Sequence, residues 1–101
     1  MRLQEKLSET EQQIELQKQM AEDNLVSAVK ANKANYSSLR SSKEYYKVVS
    51  KQYAEGQKSL LDILDARNQL TKAEVNCAVS YFETLIKQAE LERAIAGYHL
   101  N

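Results

Sequence analysis

The chain has 101 residues, with two Gly, no Pro, no Trp and a single Phe, and fourteen bases balance fourteen acids. A lone cysteine, Cys77, excludes an internal disulfide and a cysteine-built metal cluster. No apolar run approaches the ~20 residues of a membrane-spanning helix, so no direct membrane span is expected.

This composition predicts long helices, since Ala, Leu, Gln, Glu and Lys favour them and Pro is missing. Met1-Arg2-Leu3 leads straight into polar residues, so no secretory signal is expected in these residues. If the parent protein is exported, this chain is expected to be a mature or excised piece of it.

The first element is predicted over about residues 3–54. Leu3, Leu7, Thr10, Ile14, Leu25, Val29, Asn32, Tyr36, Leu39, Tyr46 and Tyr53 trace a helical stripe. Ser37, Ser38, Ser41 and Ser42 weaken it locally, because Ser competes for backbone hydrogen bonds. Charge along this helix is uneven. Residues 1–24 carry Glu5, Glu9, Glu11, Glu15, Glu22 and Asp23 against three bases. Residues 25–52 carry Lys30, Lys33, Arg40, Lys43, Lys47 and Lys51 against Glu44 alone. No nucleic-acid reading motif accompanies the basic stretch, so it reads as a solvated helix face.

A turn is predicted at about 55–58. Gly56 suits the left-handed position that ends a helix. Ser59-Leu60-Leu61-Asp62 has the spacing of a capping box, with Ser59 as the cap of the next helix and Asp62 in its first turn.

The second helix is predicted over about 59–96. Ile63, Ala66, Leu70, Ala73, Cys77 and Tyr81 recur at steps of three and four, and a second stripe runs beside them through Leu61, Leu64, Val75, Ala78, Phe82, Leu85 and Ala89. Two adjacent stripes suit a helix that touches more than one neighbour. Folding back at Gly56 pairs positions whose numbers sum to about 113. Val49 or Ser50 then falls near Ile63, Tyr46 near Ala66, Leu39 near Ala73, Tyr36 near Cys77, Asn32 near Tyr81 and Val29 near Leu85. The expected fold class is therefore all-α, a long antiparallel two-helix coiled-coil hairpin.

The same register leaves residues ~1–15 without a partner, and a two-helix hairpin buries little area for its length. Self-association follows as an expectation, with a dimer or larger assembly for the isolated chain. The residues around the turn have more than a structural reading. Asp62 and Asp65 are three apart and share a face, where like charges are mildly destabilising. Tyr53 and Lys58 flank them. A ring of such tips would gather the acids into a collar that favours cations.

The run YAEGQKSLLDILDARNQLTKAEVNCAVSYFETLIKQAELERAIAGY resembles the last helical hairpin of the TolC family of outer-membrane efflux proteins. The likeness rests on Tyr53, Gly56, Asp62-Ile63-Leu64-Asp65-Ala66 and Ala96-Gly97, covers about residues 45–98, and is looser upstream. It implies a homotrimeric parent whose helices form a periplasmic tunnel beneath an outer-membrane barrel, working with a periplasmic adaptor protein and an inner-membrane pump. By resemblance the turn lies at the tunnel entrance. Tyr53 would match the gating tyrosine, and Asp62 and Asp65 the acidic rings. Lys58 falls where the family carries an arginine; lysine keeps the charge and loses the planar fork. By the same resemblance these residues hold no counterpart of the barrel, the first repeat or the equatorial segments, so the chain is not expected to be a channel on its own. It would be a soluble fragment of the periplasmic portion.

Two rival readings remain. One is a generic coiled-coil scaffold or oligomerisation module. The other is the α-hairpin of a periplasmic adaptor, whose expected Arg-Leu-Ser-like tip is missing here. No nucleophile–base pair or phosphate loop is present, so no enzymatic activity, cofactor or metal is expected. His99 has no partner ligand nearby, Cys77 reads as a small core residue, and Tyr36, Tyr45, Tyr46 and Tyr81 read as packing.

Overall fold

A computed structural model describes the backbone of residues 2–100 and the side chains of residues 6–97. It contains two helices, α1 (Arg2–Ala54) and α2 (Leu60–Leu100), joined by a turn at residues 55–59. The fold is an all-α helical hairpin. Helix α2 runs past the expected end near residue 96, so Gly97 lies within it rather than beyond it. One Gly in a last turn costs about 1 kcal/mol against Ala and does not by itself stop a helix.

The chain forms two compact units. One comprises residues 1–29 with 83–101, the other residues 30–82. In the second unit, α1 turns Asn32, Asn35, Leu39, Ser42, Tyr46 and Val49 inward, and α2 answers with Ile63, Ala66, Leu70, Ala73, Cys77 and Ser80. Both sets alternate steps of three and four, the 3.5-residue repeat of a coiled-coil seam. In the first unit the inward residues are Ile14, Lys18, Ala21, Leu25 and Ala28 on α1, with Thr84, Lys87, Leu91 and Ala94 on α2.

Three side-chain contacts fix the register. Asn32 Nδ2 donates to Ser80 Oγ at 3.1 Å, and the Arg67 guanidinium lies 5.6 Å from the centre of the Tyr46 ring. In the first unit, Thr84 Oγ1 donates to the Ala28 carbonyl at 3.3 Å. Position numbers of the two hydrogen-bonded pairs sum to 112, one less than the folding-back estimate. Carried along the second unit, this register sets Tyr46 opposite Ala66, Ser42 opposite Leu70 and Leu39 opposite Ala73. A large residue faces a small one each time, as interdigitation requires.

Three expected pairings are corrected by this register. Tyr36 does not cover Cys77: it is 64% exposed, while Cys77 is buried. Asn32 meets Ser80 instead of Tyr81, which is exposed. Ala28 and Thr84 take the places assigned to Val29 and Leu85. The physical reason is that a strict 3.5 repeat moves from Cys77 to Ser80. An apolar reading of the sequence steps to the nearest large side chain, Tyr81, and leaves the seam by one position.

The seam is lean. Val49, Ala66, Leu70, Ala73 and Cys77 are its buried hydrophobic residues, with Ser80 buried among them. Leu61, Leu64, Val75, Ala78, Phe82, Leu85 and Ala89, which form the second stripe, are all exposed. So are Leu7 and Thr10 near the start of α1. The side chain of Leu3, in the same expected stripe, lies outside the described residues, as does that of His99.

Candidate functional site

The turn is built by two capping motifs in succession. At the end of α1 the Gln57 amide donates to the Gln52 carbonyl at 2.8 Å and the Gly56 amide to the Tyr53 carbonyl at 3.0 Å. This is a Schellman arrangement, with Gly56 at the left-handed position. Its φ is +77°, a conformation in which a Cβ costs roughly 1–2 kcal/mol. A Cβ on Gly56 would meet nothing within 4 Å, so backbone strain alone selects glycine here.

The start of α2 is a reciprocal capping box. The Ser59 amide donates to Asp62 Oδ2 at 2.9 Å, and Ser59 Oγ accepts from the Asp62 amide at 3.3 Å. Ser59 Oγ also donates to Asp62 Oδ2 at 2.9 Å. Ser59, Gly56 and Asp62 therefore have the structural roles expected of them.

The Ser59 backbone and hydroxyl donors hold the Asp62 carboxyl below its ordinary pKa, and Lys58 adds a smaller attraction of the same sign. A depressed folded-state value means that the carboxylate contributes stability above the unfolded pKa. That contribution fades as pH falls through the folded one. The helicity of the chain at a fixed temperature is thus expected to decline from about pH 4 downward. Asp62→Asn should blunt that part of the decline, with circular dichroism as the readout. An Asn variant whose acid profile overlays that of the parent would remove Asp62 from the cause.

The other members of the expected cluster stay apart from this box. Asp65 accepts from Gln69 Nε2 at 3.0 Å, one turn along its own helix. Among the described residues no hydrogen bond or ion pair ties Tyr53 or Lys58 to either carboxylate. Tyr53, Gly56, Lys58, Asp62 and Asp65 are all exposed. The turn thus presents a phenol, an ammonium and two carboxylates to solvent on a doubly capped support. Among the described residues no group of three or more acidic, His or Cys side chains is placed to hold a metal ion. No described helix is long and apolar enough to cross a membrane.

Two features of the middle of the hairpin escaped the reading of the sequence. The Asn32–Ser80 hydrogen bond is one, because it joins positions 48 residues apart. The other is the stack of Arg67 on Tyr46, which needs the register before it can be foreseen. No family model, no curated protein and no solved structure matches the chain.

Proposed function

We propose that the chain is a tunnel-wall hairpin of a trimeric outer-membrane efflux channel of the TolC kind, with its turn contributing to the entrance gate and to adaptor docking. The observation that carries this reading is the turn itself. It is capped on both sides, yet it leaves Tyr53, Lys58, Asp62 and Asp65 exposed and uncommitted to one another. Groups held in place but left without mutual partners are suited to bonds with neighbouring hairpins. The exposed second stripe, with Leu61 at 78%, supports the same reading, since a tunnel wall packs each helix against more than one neighbour.

In this proposal Asp62 and Asp65, repeated by three-fold symmetry, form a negative collar at the entrance. Tyr53 and Lys58 hold the closed state through bonds to adjacent helices. The periplasmic adaptor and the inner-membrane pump are the partners of the whole assembly. The test is Asp62→Ala with Asp65→Ala in the full channel, followed by single-channel conductance with and without a blocking divalent or trivalent cation. Cation block is expected to weaken by tenfold or more, roughly the loss of an electrostatic coupling of 1–2 kcal/mol. Unchanged block in a folded trimer would sink the collar.

A second reading has one observation in its favour. Capping alone accounts for Gly56, Ser59 and Asp62, as in any coiled-coil scaffold. That reading expects substitutions at Tyr53, Lys58 and Asp65 to have no consequence beyond stability, and the same conductance experiment separates the two.

A further inference from the structure

Charge is sorted between the two units. Residues 1–29 with 83–101 hold nine acids and five bases, while residues 30–82 hold nine bases and five acids. The sorting has a pattern. In the first unit Glu11, Glu15 and Glu22 follow one another on α1 at steps of four and seven. In the second unit Lys51, Lys47 and Arg40, read toward the N-terminus, follow at the same steps. Such steps keep to one face of a helix. All six side chains are exposed, and none forms an ion pair with another described residue.

A groove lies beside the bases. It has a volume of about 500 Å³ and is lined by Lys43, Glu44, Tyr46, Lys47, Ser50 and Leu70. Ser50 Oγ is buried there without a hydrogen-bond partner. In the acidic unit, Leu16 is exposed beside Glu15 and is flanked by Gln12 and Gln19.

We propose that this face binds a second copy of the chain, antiparallel, the acidic half of α1 in each copy lying on the basic half of α1 in the other. Pairing positions whose numbers sum to about 62 brings every one of these features together, given a constant helical rise. Glu11 meets Lys51, Glu15 meets Lys47 and Glu22 meets Arg40. Leu16 of the other copy enters the groove over Tyr46 and Leu70. Gln12 reaches the unsatisfied Ser50 hydroxyl, and Gln19 lies by Lys43. Val26 and Tyr36, both exposed, also meet in this alignment.

Each copy carries both halves, so the match is made twice and the pair closes as a two-fold dimer. Lys33 approaches its own copy near the axis and offsets part of the gain. The opposite, parallel alignment would set like charge on like charge along the whole helix. The pairing belongs to the chain as it stands alone and goes beyond the tunnel reading, because a tunnel sets its hairpins parallel.

The 101-residue chain is tested by sedimentation equilibrium and by cross-linking. A dimer is expected at about 50 mM salt, weakened at least about tenfold at 500 mM, because exposed pairs are screened. Glu15→Lys with Glu22→Lys should weaken it by a similar factor, and adding Arg40→Glu with Lys47→Glu in the same chain should restore it. In a Cys77→Ser background, Gln19→Cys and Lys43→Cys chains should form a disulfide when mixed and not when kept apart. A monomer at low salt, or cross-linking of each cysteine chain with itself, would overturn the proposal. So would a double swap that fails to restore the dimer while circular dichroism shows the helices intact.

Discussion

Val49→Asp is expected to destabilise the hairpin by about 3–5 kcal/mol, the cost of a buried charge with no partner. Val49 is the largest fully buried side chain, at 1% exposure, and Ala66, across the seam in the same unit, is at 0%. A carboxylate there is cut off from solvent, and the seam has few other buried apolar groups to compensate. Val48 is the natural control. It precedes Val49 by one residue, and it is 53% exposed. Val48→Asp is therefore expected to change stability by no more than about 0.5 kcal/mol. Urea unfolding followed by circular dichroism measures both. Equal effects at the two positions would mean that the seam does not run through Val49.

Val48 and Val49 also show what the sequence conveys and what it hides. They are chemically identical neighbours, and a single repeat of three and four decides which is buried. The fold class was legible because Gly56, Ser59 and Asp62 mark a stop and a start by local chemistry, and because both flanks lack Pro. Each of these signals acts within a few residues. The register within one residue was legible too, because a turn at Gly56 and a constant rise fix it almost alone. What was not legible is the polar part of the seam. Ser80 and Thr84 carry no apolar signal, so Tyr81 and Leu85 drew the stripe of α2 away from the true inward positions, and Asn32, placed inward, was set against the wrong partner. For the turn, capping chemistry was readable from spacing. The independence of Tyr53, Lys58 and Asp65 from that capping was not, since it depends on where each side chain finds a partner.

The polar seam has an energetic consequence of its own. Asn32 Nδ2 donates to Ser80 Oγ, and Ser80 Oγ donates to the Cys77 carbonyl at 3.0 Å. Ser80 is buried at 4% exposure. A single polar residue at an inward heptad position costs stability and specifies register, because any slipped pairing leaves it unsatisfied. Replacing both partners by apolar groups removes that cost along with the specification. Asn32→Leu with Ser80→Ala is therefore expected to stabilise the chain by about 1–2 kcal/mol. Asn32→Leu alone should gain less, because the Ser80 hydroxyl stays buried beside an apolar group. The second effect is on alignment. With the hydrogen bond present, slipping by a heptad would set Asn32 opposite Ala73 or Lys87. Without it, the seam has only its large–small alternation to oppose the slip. Spin labels on exposed positions of α1 and α2 within the second unit should give one distance in the parent and a broader or split distribution in the double variant. A double variant that is less stable than the parent, with a single unchanged distance, would show that the pair stabilises the hairpin outright and does not act as its register lock.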